Sequence, residues 1–215
     1  MQTPSAPVTH APRSLWEAAR ALIVTIFNLF GAPEAIAAQH TLQRKERSLI
    51  LDWLRAGEAM VRHLLLIEAS HYPRIAPRTR PRAKRTRARK LMSFEADQPE
   101  TWRVTFRCFP SKDRRLPAGT ASKPARKVQD ETSCRLEAGG PRLYAAWPLA
   151  ERAEAMLRAF NDPAPYAKRL ARRLSAAPRR AALLTRHPPN LPQIVDDFPL
   201  LTAEAEASRR RFESG

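Results

Sequence analysis

Three groupings of side chains in this sequence have types and spacings that could do chemistry. Glu68 and His71 form a Glu-x-x-His pair, which on a helix sets a carboxylate and an imidazole one turn apart, as helical di-metal sites do. Such a site needs a second pair and further carboxylates. Asp52, Glu58 and His63 add single groups without one, so Glu68 and His71 are expected to face solvent or cap a helix, and no metal ligand is assigned. Cys108 could serve as a nucleophile, with His63, His71 or His187 as base and Asp196 or Asp197 orienting the ring. Nothing beside Cys108 creates an exposed nucleophile, so burial is expected instead. Six dispersed glycines draw neither a dinucleotide fingerprint nor a triphosphate-binding loop, and no catalytic residue or cofactor is assigned.

The third grouping is electrostatic. Residues 73–90 hold nine basic side chains and no acid. Of these Arg78, Arg80, Arg82, Lys84, Arg85, Arg87, Arg89 and Lys90 are the candidate binding residues, because guanidinium forks and mobile ammonium groups suit phosphate oxygens. Arg80-Pro81-Arg82 resembles the minor-groove AT-hook without the glycine of its Arg-Gly-Arg-Pro core. Trp102 and Phe106, close to this tract, are candidates for stacking on unpaired bases, with packing against helices as the competing role.

The chain of 215 residues carries 38 basic and 21 acidic side chains, a net charge of +17. Regionally this divides into +1 for residues 1–72, +11 for 73–137 and +5 for 138–215. A basic excess of this size favours polyanions and makes binding sensitive to salt. Two cysteines, Cys108 and Cys134, make no disulfide scaffold; two free thiols in a reducing compartment are expected, and a single bridge between neighbouring strands is the rival arrangement.

The most apolar run, residues 21–30, is shorter than the eighteen or so residues of a spanning helix. Arg13 and Arg20 before it and Ala35-Ile36-Ala37 after it have the pattern of an export signal, whereas Glu17 and Asn28 do not. A cytoplasmic protein is expected, or an exported one if residues 1–37 act as a signal peptide.

Around these groups the periodicity predicts a mainly α fold. A tail over 1–13 leads to a helical hairpin over 14–72. Ser14 and Glu17 form a capping box, Leu15, Ala19, Leu22, Ile26 and Leu29 one apolar face, and Gly31 and Pro33 the link. The second helix runs from 33 to 70 with a stripe of Leu42, Leu49, Trp53, Ala56, Met60, Leu64 and Ile67; Arg55, Glu58 and Arg62 fall on another face as weak surface pairs. Residues 73–100 read as a disordered basic linker. The alternation at 101–109 predicts a strand, with 134–136 and 143–146 as partners in a small β ribbon that carries a long loop within 101–147. Short helices follow over 148–215, with Pro148, Asp162-Pro163 and Thr202 as start signals.

These features predict a non-enzymatic binding or scaffold protein that associates with nucleic acid through its basic tract. An adaptor for an acidic protein, or a peripheral membrane protein using the apolar N-terminal helix, is the alternative. The hairpin's apolar surface needs later helices, a second copy of the chain, or lipid to cover it.

Overall fold

The computed structural model describes residues 10–73, 98–109, 143–185 and 198–214. The predicted mainly helical fold is what forms: an N-terminal helical pair, shorter C-terminal helices and a two-stranded ribbon. The basic tract at 78–90, Cys134 and the strand candidate at 134–136 lie outside the described residues.

Helix α1 (Arg13–Phe30) buries Leu15, Ala19, Leu22 and Ile26 of the expected face together with Ile23, whereas Leu29, expected on the same face, is exposed in the last turn. Its start differs from expectation. Pro12 is the N-cap, and no side chain caps the helix; Glu17 instead accepts a hydrogen bond from Arg13 Nε at 2.9 Å on the exposed surface. Gly31 ends α1 at φ +84°, where a Cβ would lie 2.8 Å from that of Ala35, so both backbone and space require glycine. Pro33 then opens α2 (Pro33–Ala38).

The single helix expected from 33 to 70 is interrupted. His40 takes φ +53°, and the chain extends as β1 (Thr41–Gln43) so that Leu42 enters the core at 2% exposure. Gln43 and Glu46 then form a capping box that opens α3 (Arg44–Ser70), with Gln43 N–H donating to Glu46 Oε2 at 3.0 Å. Strand β1 pairs antiparallel with β2 (Leu143–Ala145), Leu42 opposite Tyr144. The predicted strand at 143–146 thus exists but takes a different partner.

The segment at 101–109 is a correction. Pro99–Thr101 is a 3-10 turn and residues 103–107 run without a ladder, although burial does alternate through Trp102, Phe106 and Cys108. Arginine side chains take backbone carbonyls that a neighbouring strand would otherwise bond. Arg158 donates to the carbonyls of Pro99, Glu100 and Trp102, and Arg62 Nε donates to Arg107 O at 3.2 Å.

Helix α4 (Trp147–Asn161) follows with Pro148 in its first turn, burying Leu149, Ala153 and Met156. Asp162 closes α4 rather than capping α5 (Ala164–Ala176), whose N-cap is Pro163. A 3-10 turn spans Pro178–Leu183. Helix α6 (Phe198–Glu213) begins a turn before Thr202, which sits buried inside it.

Helix α3 is the axis of the fold, packed by α1, α4, α5 and α6. Across residues 56–69 every position except Arg62 is buried. Phe30 meets Trp53, Ile26 meets Gly57, and Ala11 meets Glu68, so α1 and α3 run antiparallel. At Gly57 three helices converge: a Cβ there would lie 2.7 Å from Met156 Sδ and 3.1 Å from Ile26 Cδ1. Replacing Gly57 by Val should therefore lower stability by about 1–3 kcal/mol through overpacking, with Gly57→Ala milder because Met156 can yield and alanine favours helix. Urea unfolding measures this, and an unchanged midpoint for Gly57→Val would contradict the close approach.

Candidate functional site

Glu58 does not lie among exposed surface pairs, as its spacing from Arg55 and Arg62 predicts. It is 7% exposed, because α4 covers that side of α3. Arg152 binds it through both nitrogens of its fork, Nε to Oε1 at 2.8 Å and Nη2 to Oε2 at 2.9 Å, while Arg62 Nη2 donates to Oε2 at 2.7 Å. Burial by itself would raise the Glu58 pKa. The hydrogen bond and charge of Arg152, joined by those of Arg62, outweigh it and hold the carboxyl below its usual range. Arg62 also lies over the Phe106 ring at 5.6 Å, so this cluster ties α3, α4 and the extended segment together.

The other groups with chemical potential are held by the fold. Glu68, expected to face solvent or cap, is 5% exposed; its Oε1 accepts the N–H groups of His10 and Ala11, each at 2.9 Å, fixing the approach to α1. His71 stacks on His10 with ring centroids 4.4 Å apart, and its Nδ1 lies 3.0 Å from Ile67 O. His63 is fully buried. Cys108 carries a buried free thiol whose pKa burial pushes up, partly countered by Arg173, Arg169 and Arg62. His187, Asp196 and Asp197 lie outside the described residues. Among the described residues no three His, Cys, Asp or Glu side chains converge as metal ligands.

Trp102 and Phe106, at 3% and 5% exposure, pack against Trp147 and Tyr166 respectively. A base could stack on either only after local opening. Sequence reasoning placed the binding residues Arg78, Arg80, Arg82, Lys84, Arg85, Arg87, Arg89 and Lys90 in a tract that the described residues do not include.

What the fold displays instead lies toward the two ends of α3. Near its N-terminal third, Phe30 meets Trp53 edge-on with ring centroids 6.3 Å apart; Leu29, next to Phe30 in the chain, is 56% exposed, and Leu49, one turn before Trp53 and expected in the α3 stripe, is 53% exposed. Exposed Arg44 and Lys45 lie in the first turn of α3, Lys45 one turn before Leu49. Toward the C-terminal end of α3, α5 turns Lys168, Arg169, Arg172 and Arg173 outward, and an open depression of about 390 Å³ is lined by Tyr166 and Arg169 together with Arg158, Asn161, Asp162 and Pro165. Sequence reasoning missed this basic face; its signal is the spacing i, i+1, i+4, i+5 of Lys168, Arg169, Arg172 and Arg173, less dense than the basic run at 78–90. Comparison with protein-family models, with curated proteins and with solved structures finds no match to this chain.

The Glu58 cluster makes a pH-dependent contribution to stability. Because its folded pKa is depressed below the ordinary 4.5, that contribution is complete above about pH 4.5 and lost as pH falls through the folded value. Glu58→Gln should cost about 3 kcal/mol at neutral pH, the low end for a broken buried pair because Arg152 reaches solvent. The deficit should shrink as pH falls from neutral through the folded Glu58 value, where the wild-type carboxyl also becomes neutral. Denaturant unfolding of both proteins across that range measures it, and a pH-independent difference would contradict the assignment.

Proposed function

We propose that this chain is a non-catalytic peripheral membrane protein, which seats the apolar tip formed by α1 and the start of α3 in the interface of an anionic bilayer. The observation that carries this is the exposure of Leu29 and Leu49, the chain neighbour of Phe30 and the residue one turn before Trp53, at the end of the molecule where those two rings meet. Tryptophan and aliphatic side chains beside basic groups match the boundary between headgroups and acyl chains, and Arg44 and Lys45 supply the adjoining charge. The wider segment Arg13–Ala38 is apolar, as the core helix of a folded domain also is. Its most apolar window has a mean hydropathy of 1.7 and is only 33% buried, long and apolar enough to cross a membrane by length and composition. This exceeds the ten-residue run on which the sequence reading excluded a span.

Contacts within the fold favour a surface role over a crossing. Leu15, Ala19, Leu22, Ile23 and Ile26 form the core face against α3, and Ile36 and Ala37 are buried where α2 packs on α4. A crossing would strip α3 of that cover. Seating the tip leaves the helices folded and uses only side chains already turned outward. Among the described residues, three groups that could have served a reaction are occupied in packing: Glu58 by arginines, Glu68 by backbone N–H groups, Cys108 by burial.

Cosedimentation of the purified chain with neutral and anionic vesicles tests this. The intact protein should partition onto anionic vesicles, and the double variant Leu29→Ser, Leu49→Ser should bind about tenfold or more weakly, having lost two apolar side chains that enter the interface. Equal partition of the two proteins, or none by the intact chain, would overturn the reading.

A further inference from the structure

We propose that the outward face of α5, continued by the turn after it, is a second binding surface, built for the phosphate backbone of a nucleic acid and separate from the lipid-facing tip. Between Ala164 and Leu183 the chain carries six basic side chains and no acid. Lys168, Arg169, Arg172 and Arg173 recur at helical spacing, so all four point one way, and all are exposed. Among the described residues none of the six makes an ion pair with a carboxylate. Like charges at i, i+4, as in Lys168 with Arg172 and Arg169 with Arg173, disfavour the helix that carries them. Such a face lowers the stability of the chain alone and gains its compensation from an anionic partner.

The chemistry of the face narrows that partner. The opposite side of α5 is already spent: Ala167, Leu170, Ala171 and Leu174 are buried, and the helix packs on α3. An interfacial membrane helix needs an apolar face to insert, and α5 has none left to offer. Five of the six cations on α5 and the following turn are arginine, whose planar fork binds phosphate oxygens in pairs. Two of those forks are pre-placed by aromatic rings, Arg169 over Tyr166 at 5.7 Å and Arg180 over Phe109 at 4.7 Å, so less side-chain freedom is lost on binding. Position separates this face from the tip. α3 has 27 residues, about 40 Å of helix; Trp53 belongs to its first half, whereas Lys168 lies over Tyr72, just past its end.

Fluorescence anisotropy with labelled duplex DNA and single-stranded RNA, over a potassium chloride series on the full chain, tests the assignment. The triple variant Arg169→Gln, Arg172→Gln, Arg173→Gln should bind about tenfold or more weakly at low salt. Its log–log salt dependence should be shallower by about 2–3, one phosphate contact per arginine. Repeating the comparison in a chain whose Arg80, Arg82, Arg85, Arg87 and Arg89 are serine should preserve that difference in slope, which assigns it to α5. If the triple variant loses its helical circular dichroism, the exposed pair Arg172→Gln, Arg179→Gln should still flatten the slope by about 2. Unchanged affinity and slope in a folded variant would overturn the proposal, as would no nucleic-acid binding by the intact chain. Tighter binding to a polyglutamate of matched charge would replace nucleic acid with an acidic protein and likewise overturn it. Leu29→Ser with Leu49→Ser should leave nucleic-acid binding unchanged, so the lipid reading and this one fail separately.

Discussion

Helix α3 has almost no outward face between residues 56 and 69, and that constraint organises the rest of the molecule. A helix buried all round must be clad on every side, which α1, α4, α5 and α6 do together. Apolar contact is non-directional, so cladding alone would leave the surrounding helices free to slide and rotate. Two carboxylates on α3 supply the direction. Glu58 binds Arg152 from α4 and Arg62 from its own helix, and Arg62 reaches on to the extended segment; Glu68 takes the N–H groups that lead into α1. Each would be costly if unpaired in so dry a place, which makes their partners obligatory.

Elements that depend on local periodicity were legible in the sequence. The apolar face of α1, the stop at Gly31 and Pro33, the second half of α3, and Pro148 at the start of α4 all follow from spacing and backbone chemistry that neighbouring residues carry within themselves. What failed depended on distant partners. The break at His40 needs β2 about 100 residues away to make a strand worthwhile, and the carbonyls of Trp102 and Arg107 are taken by the guanidinium groups of Arg158 and Arg62 from distant helices. Alternation at 102–108 did report burial correctly, but alternation cannot say whether a strand or an arginine will satisfy the backbone.

The candidate sites divide along the same line. Glu58 sits at i, i+4 from Arg62, which suits a surface pair, and only the arrival of α4 turns it into a buried centre. Trp102 and Phe106 were recognisable as paired rings, yet their exposure is decided by Trp147 and Tyr166 on later helices. The outward cations of α5 needed no distant partner. Their helix exposes charge on one side and buries small and branched residues on the other, so both sides of α5 could be assigned from thirteen residues.

The short ribbon of β1 and β2 carries a consequence for the order of assembly. Its strands join positions about 100 residues apart, and closing a chain segment of that length costs on the order of 4 kcal/mol in entropy before any ladder bond forms. Three paired positions cannot repay that cost alone. The α1–α3 contacts close shorter segments, from Phe30–Trp53 to Ala11–Glu68, so the ribbon's entropic cost is lower once that pair has formed.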